Sequence, residues 1–358
     1  MGENSAYYKS KDRSKRELIN RMKAQLPQHT HSYIEEILLK YQINTVYMYV
    51  YDLTVFYRYL RDNNSLYKDL ELRDIPFEAI DQLRAADFNE YQNKLAEGDN
   101  EGRKGEKSRA VARKMASVRN FFSYQERMGY MDHDPTLKAA KKRREIENEI
   151  FRLDSDEVKQ LIDAVTNVNV GSQHSKILSE CTAKRDLAII TLLLNTGIRV
   201  SECAGIDMDD VNFNTNTITI VRKGGKSSDM YIGEAVRNTL RDYINTERPT
   251  LLSYDNEKES ALFISRKHTR LSVRSIQYMV EKYGKNLELG RSLSPHKLRK
   301  TYGTALYNKT GDIYMVADVL GHKDVNTTVR HYAAMEEKHK QQAAQIDIYG
   351  LESDDRDQ

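Results

Sequence analysis

A chain of 358 residues is too long for one ordinary hydrophobic core, so its length predicts two domains. Hydrophobic residues make up 39% and charged residues 30%, a composition typical of globular proteins with heavily charged surfaces. The net charge of +3 is only weak evidence for a polyanionic partner, because whole-chain charge averages over local patches.

Three features bear on where the protein works. The longest apolar run, LAIITLLL at 187–194, is too short to span a bilayer. The first residues, MGENSAYYKSKDRSKR, lack the apolar stretch of a secretory signal. The cysteines Cys181 and Cys203 are not spaced like metal ligands and are predicted to be reduced, buried thiols. Together these features predict a cytoplasmic protein with no membrane partner.

The N-terminal part of the chain predicts an all-helical domain over residues 31–133, preceded by a polar arm or short helix over residues 1–30. Its first helix, which Asn44 or Thr45 is placed to cap, has apolar residues three or four apart: Val46, Val50, Leu53, Tyr57 and Leu60. A second helix is predicted to begin near Asp87. A third is predicted over residues 107–131, with an apolar side formed by Val111, Met115, Val118 and Phe122.

Two basic segments lie in or next to this domain. The third helix carries basic residues predicted to lie away from its apolar side: Arg109, Arg113, Lys114 and Arg119. Residues 134–152 are predicted to be a linker, which Pro135 opens by breaking the helix and which holds the cluster Lys141, Lys142, Arg143 and Arg144. Solvation explains a lone basic helix face, and a nuclear address is the other reading of the linker cluster. Several basic segments in one helical unit favour contact with a phosphate backbone.

Residues 153–335 predict a second, mostly helical domain. Asp154 or Ser155 is placed to cap its first helix, and Gly197 interrupts a later helical stretch. Alternating Ile218 and Ile220, then Met230 and Ile232, flank KGGKSSD and predict a β-hairpin. Further helices follow, and residues 336–358 form a C-terminal segment with an acidic tail. The predicted fold class is therefore mainly α, with two domains and one small hairpin.

Several polar motifs of the second domain suggest chemistry only when taken together. They are Arg199 in TGIRVSE, Lys223 in VRKGGK, His296 and Arg299 in PHKLRK, His322 in LGHKD, and Tyr332 in VRHY. Singly, each has an ordinary explanation. An H-x-x-R pair is usually a solvated helix face, Arg199 with Glu202 is usually an i, i+3 ion pair, and a tyrosine at helical spacing usually packs.

In this order, the motifs from Lys184 to Met335 resemble the catalytic domain of tyrosine recombinases, the phage integrase family, and most of all its Xer type. Residues 31–130 resemble the family's core-binding domain more loosely. The resemblance implies a two-domain DNA clamp that cleaves and rejoins double-stranded DNA at a specific site. It also implies a homotetramer on two DNA sites, an accessory DNA-bending or translocase protein as a possible partner, and no cofactor or metal.

The resemblance also implies roles for single residues. Tyr332 would attack a phosphodiester and form a 3′-phosphotyrosine, which keeps the bond energy without ATP. Arg199 and Arg299 would hold the non-bridging oxygens, because their charged forks suit a phosphate. His296 and His322 would donate to the same oxygens, and His296 is also a candidate base for the tyrosine proton. Lys223, or else Lys226, would protonate the leaving 5′-oxygen, and Glu202 would orient the site.

The chain departs from the family pattern in two places. His322 and Tyr332 are ten positions apart, where many Xer-type members have nine, and Lys300 and Tyr302 stand where the family often has His and Phe. We expect little consequence from the second difference. The C-terminal segment has an apolar cluster at 346–351 that either packs on its own domain or docks on a neighbouring protomer; docking is favoured.

The cellular role stays open between two recombinase functions. Xer-like chromosome-dimer resolution is favoured, and integration or excision of a mobile element is the alternative with the same chemistry. Two other classes are a non-catalytic DNA-binding regulator and a type IB topoisomerase. The complete set of candidate catalytic residues argues against the regulator, and the Xer-like motifs argue against the topoisomerase.

Overall fold

The computed structural model describes residues 6–97, 105–140, 152–167, 181–222, 225–252, 259–287, 292–321 and 325. The chain divides into two compact units, Ala6–Asn148 and Glu149–Gln358. The described residues are mostly helical with one small antiparallel sheet, which confirms the predicted mainly-α class. No helix among them is both long enough and apolar enough to cross a membrane.

The N-terminal unit is all-helical in its described part. Its helices are α1 (Ala6–Gln25), α2 (His31–Lys40), α3 (Ile43–Asp62), α4 (Glu78–Asp81), α5 (Ala85–Glu97) and α6 (Ser108–Arg127). Short 3-10 turns occupy Gln28–Thr30, Leu72–Asp74 and Pro135–Lys138. The apolar positions predicted for α3 and α6 are all buried, which confirms the helical periods. The predicted cap of α3 is wrong, because the helix begins at Ile43 with Gln42 as its N-cap.

The unit extends beyond both ends predicted for the helical domain. Helix α1 belongs to it, because Ile19 and, just after the helix, Leu26 are buried in its core. At the other end, α6 stops at Arg127, before the predicted break at Pro135. The first residues of the predicted linker pack on this unit, since Pro135 is buried and the Ala140 N–H donates to Asn89 Oδ1 (2.8 Å).

A half-buried histidine, His29, gives this unit a pH-dependent contact. Its Nε2 lies 2.6 Å from the Tyr57 hydroxyl, and its ring meets Phe77 edge-on. Burial lowers the pKa of His29 to about 4 and raises the pKa of Tyr57 well above its ordinary value. Tyr57 therefore keeps its proton, and its hydroxyl can donate a hydrogen bond to Nε2 of the neutral imidazole. A protonated His29 could not accept this bond.

We expect the N-terminal unit to lose stability in mild acid. Because the pKa of His29 is lower in the folded chain than its ordinary value of 6.5, its stabilising effect is complete above that value. The effect then declines as the pH falls toward about 4. From about pH 7.5 to about pH 5, the free energy of unfolding should fall by up to about 2 kcal/mol, less where solvent reaches the ring.

Urea unfolding followed by circular dichroism measures this change in the full chain. The matched variant is His29→Gln, whose amide can bond Tyr57 but does not titrate in this range. Its fall in stability over the same pH interval should be smaller than that of the wild type. Equal falls in the two proteins would show that another group carries the pH dependence.

The second unit packs helices around one small sheet. Its helices are α7 (Ser155–Thr166), α8 (Ala183–Thr196), α9 (Val200–Cys203), α10 (Glu234–Asp242), α11 (Arg248–Leu251), α12 (Val273–Asn286), α13 (Pro295–Thr310) and α14 (Ile313–Leu320). A π-helical turn at Tyr243–Glu247 joins α10 to α11, and a 3-10 turn occupies Met208–Asp210. Asp154 caps α7 in a capping box with Glu157, which confirms one of the two predicted caps.

The sheet has the strand order β1 (Val211–Asn212), β2 (Thr217–Val221) and β3 (Ser227–Tyr231), all antiparallel. The pairing of Ile218 with Met230 confirms the predicted hairpin, to which β1 adds an unpredicted edge. Cys203 is buried as predicted, and burial raises the pKa of its thiol to about 12. The prediction of a buried Cys181 is wrong, since this residue is exposed just before α8.

Candidate active site

The turn after α8 places the first candidate arginine. Gly197 ends the helix with φ +60°, and a Cβ there would lie 2.6 Å from Tyr302 Cδ1 and 2.7 Å from Leu320 Cδ2. Only glycine therefore fits this turn without displacing its neighbours. Two residues later Arg199 becomes the N-cap of α9. The Tyr302 ring fills the space beside Gly197, which gives that departure from the family pattern a packing role.

Glu202 accepts two hydrogen bonds from Arg199. Its Oε2 accepts from the Arg199 backbone N–H (2.9 Å), and its Oε1 accepts from Arg199 Nη1 (2.9 Å). Glu202 is only 3% exposed, whereas the Arg199 side chain is 30% exposed. The predicted i, i+3 pair thus fixes one guanidinium on a buried carboxylate, and the supporting role of Glu202 stays a prediction.

Helix α13 supplies the second candidate arginine. Pro295 stands in its first turn, as predicted, and Ser294 is the N-cap. Arg299 is buried, and its two terminal nitrogens donate to the carbonyls of Gly197 and Leu320. His296 lies one turn earlier and is exposed. His296 and Arg299, which the sequence places on one face of the helix, therefore differ in burial.

Three guanidinium groups converge on the C-terminal end of α14. Besides Arg299, Arg199 Nη2 donates to the Gly321 carbonyl (3.1 Å), and Arg222 Nη2 donates to the Val319 carbonyl (3.3 Å). The partial negative charge of a helix C-terminus attracts cations of this kind. Among the described side chains that these contacts join, three guanidiniums and the carboxylate of Glu202 leave a formal charge of +2 (three minus one). Such a cluster can receive a phosphate group.

Arg222 was not among the residues predicted from the sequence. It lies directly before Lys223 in VRKGGK, but strand alternation says only which face a side chain takes, not which distant helix it meets. The remaining candidates, Lys223, His322 and Tyr332, lie outside the described residues, as does the spacing between the last two. Their roles stay predictions. Among the described residues, no three His, Cys, Asp or Glu side chains are grouped to hold a metal ion.

The basic residues of the N-terminal unit that are predicted to contact DNA differ in their solvent exposure. Arg109 is exposed, and Arg119 Nη2 donates weakly to the Ala140 carbonyl (3.4 Å). Arg113 pairs with the buried Asp52, which also accepts from Ser117 Oγ (2.7 Å), so its guanidinium is held at a fixed place near the surface.

Lys114 differs from the other three. Its side chain is 6% exposed and its Nζ lies 2.9 Å from Glu106 Oε1, so it does not belong to the basic surface where we predicted it. In the second unit, Lys226 is exposed on the hairpin. Lys141, Lys142, Arg143 and Arg144 lie outside the described residues, and phosphate contact by the exposed candidates stays a prediction.

Comparison with known proteins places the chain in a family. Residues 152–339 match the sequence profile of the phage integrase family. The tyrosine recombinase XerC of Caldanaerobacter subterraneus subsp. tengcongensis is 33% identical over 295 residues, which cover 80% of this chain and 76% of that protein.

Two solved structures share the fold at low sequence identity. One is the XerH site-specific recombinase bound to a palindromic difH substrate, with a TM-score of 0.64 and 18% identity over 84% of this chain and 80% of that one. The other is the Tn1549 transposon integrase with circular intermediate DNA, with a TM-score of 0.60 and 17% identity over 87% of this chain and 99% of that one. The sequence matches and the shared fold agree, and the chain belongs to the phage integrase family of tyrosine recombinases, enzymes that cut and rejoin DNA.

Proposed function

We propose that this recombinase cuts double-stranded DNA at a specific site through a covalent 3′-phosphotyrosine at Tyr332. The observation that carries the proposal is the convergence of Arg199 and Arg299, the two guanidiniums assigned to the phosphate, on one helix end. A scissile phosphate gains negative charge in its five-coordinate transition state, and fixed guanidiniums stabilise that charge without reorganisation. In the proposal, Arg199 and Arg299 hold the non-bridging oxygens.

The remaining steps are assigned to residues on the ground of the family pattern. The Tyr332 oxygen attacks phosphorus as its proton passes to a base, for which His296 is the candidate, and His322 donates to the phosphate. The bond from phosphorus to the 5′-oxygen breaks, and that oxygen takes a proton from Lys223, with Lys226 as the alternative candidate for this acid. Attack by a second DNA 5′-hydroxyl reverses these steps and releases the tyrosine.

The proposed partner is a double-stranded DNA site, with four chains acting on two such sites. The XerH structure holds a difH substrate and the Tn1549 integrase structure holds circular intermediate DNA, which supports a double-stranded DNA partner. The proposed location is the cytoplasm. Chromosome-dimer resolution, with a DNA-bending or translocase protein as helper, is the favoured role because a tyrosine recombinase named XerC is 33% identical to the chain. Mobile-element integration is the alternative.

A nicked suicide substrate tests the chemistry. Genomic DNA that the chain pulls down is sequenced first, which gives the site and shows whether it lies on the chromosome or at the ends of a mobile element. Wild-type protein on this site should form a covalent adduct that survives SDS. Binding without any adduct would favour a non-catalytic regulator, and relaxation of supercoiled DNA lacking the site would favour a topoisomerase.

The C-terminal segment lies outside the described residues and is proposed to dock on a neighbouring protomer. Deleting all residues after Glu337 should leave binding of one DNA site within about 3-fold of wild type but weaken the complex that pairs two sites by about 10-fold or more. Native gels with one and with two DNA sites measure the two steps. A truncated chain that pairs sites as well as the full chain would show that the segment packs on its own domain.

A further inference from the structure

The backbone of Arg222 closes the loop of the β2–β3 hairpin. Its N–H donates to the Lys226 carbonyl (2.8 Å), and its own carbonyl accepts from the Gly225 N–H (3.0 Å). In the sequence, the loop that these bonds close contains Lys223 and Gly224. The position of Arg222 therefore fixes where the loop leaves the sheet.

The side chain of Arg222 reaches away from the hairpin to the end of α14. Its Nη2 lies 3.3 Å from the Val319 carbonyl, its Nη1 lies 3.5 Å from the Leu320 carbonyl, and the side chain is 19% exposed. Gly321 leaves room for it, since a Cβ at that position would lie 2.8 Å from Nη1. The glycine thus serves a second purpose beyond its φ of +61°.

Arg222 also approaches the carboxylate that orients Arg199. Its Nη1 is 3.9 Å from Glu202 Oε2, the same oxygen that accepts from the Arg199 backbone. The planar guanidinium of Arg222 therefore connects the hairpin with two other parts of the site. These are Glu202, which orients Arg199, and the end of α14, which Arg299 also contacts. A lysine keeps the charge at this position but lacks the planar fork that addresses several oxygens at once.

We propose that Arg222 is a positioning residue that holds the hairpin loop against the arginine site, so that the lysine of the loop can protonate the leaving 5′-oxygen. The inference rests on the proposed function, in which Lys223 gives that proton as the bond from phosphorus to the 5′-oxygen breaks. Arg222 itself makes and breaks no bond. Its loss should therefore slow only the cleavage of substrates whose leaving group needs an acid.

Suicide substrates with oxygen or sulfur as the bridging 5′-atom isolate this step, because a thiolate is a weak base and leaves without a proton. We expect Arg222→Met to slow cleavage of the oxygen substrate by about 10- to 100-fold and the sulfur substrate by less than about 3-fold. Arg222→Lys should fall between Arg222→Met and wild type on oxygen. Lys223→Ala is the reference variant that lacks the proposed acid. It should cleave the oxygen substrate slowly and the sulfur substrate at close to the wild-type rate.

Arg248→Met controls for the loss of a partly buried arginine. Arg248 also donates to backbone carbonyls of the same unit, those of Glu259, Ala261 and Leu262, but not at the candidate site. This variant should cleave both substrates like wild type at a temperature where circular dichroism shows every variant folded. If Arg222→Met cleaves oxygen at the wild-type rate, or is equally slow on both substrates, the positioning role is wrong. A wild type without adduct, or a Lys223→Ala variant that sulfur does not rescue, would instead contradict the proposed function.

Discussion

Replacing Tyr332 by phenylalanine should abolish the covalent protein–DNA adduct while leaving DNA affinity within about 3-fold of wild type. The substitution removes only the phenolic oxygen, which is the proposed nucleophile, and water at the same position would leave no covalent link. Cleavage on the suicide substrate should fall by at least about 10⁴-fold, the size expected when a group that forms the covalent intermediate is lost. Gel shifts measure affinity, and SDS gels measure the adduct.

Two neighbouring tyrosines supply matched controls for this variant. Tyr314 is exposed on α14 before the candidate histidine, and Tyr349 is the next tyrosine after Tyr332 in the chain. Tyr314→Phe and Tyr349→Phe should both form the adduct at about the wild-type rate. An adduct that persists in Tyr332→Phe and disappears in Tyr349→Phe would move the nucleophile to the C-terminal segment.

Replacing Arg299 by lysine should slow cleavage by about 100-fold or more, even where the protein remains folded. The charge stays, but a lysine cannot reproduce a fork that spans the carbonyls of Gly197 and Leu320. Loss of one preorganised donor at a developing charge typically costs about 10²–10³ in rate. Leaving a buried carbonyl unpaired should also lower the free energy of unfolding by about 1–3 kcal/mol.

Arg248→Lys separates the catalytic effect from the structural one. Arg248 likewise donates to backbone carbonyls in the second unit, among them that of Ala261 (2.8 Å). Its lysine variant should lose similar stability and yet cleave the suicide substrate at the wild-type rate. Thermal unfolding sets a temperature at which both variants are folded. Equal cleavage by Arg299→Lys and Arg248→Lys at that temperature would show that Arg299 has only a structural role.

Local signals in the sequence were sufficient to predict several elements of the site. Gly197 predicted the break before α9, Pro295 the start of α13, and alternating isoleucines the hairpin, because each depends on the backbone within a few residues. The order of the motifs suggested that Arg199 and Arg299 belong together. In the structure both guanidiniums donate to backbone carbonyls at the end of α14. No sequence motif predicts this shared contact.

What the sequence missed depends mainly on long-range packing. Arg222 meets residues almost a hundred positions away, and no periodicity reports such a contact. Lys114 lies one turn from both Val111 and Val118, so its position on the apolar side of α6 followed from helical geometry, although a lysine suggested solvent. The polar sequence of α1 carries few apolar residues, and only its packing through Ile19 shows that it belongs to the core.

The central claim is an ester between the Tyr332 oxygen and a 3′-phosphate of the DNA. The most direct measurement is mass spectrometry of the adduct after digestion with nuclease and trypsin. Cleavage after Arg330 and Lys338 gives the peptide HYAAMEEK, in which Tyr332 is the single tyrosine. We predict that this peptide carries the nucleotide remnant, joined through its 3′-phosphate. A remnant on any other peptide, or one joined through a 5′-phosphate, would contradict the assignment.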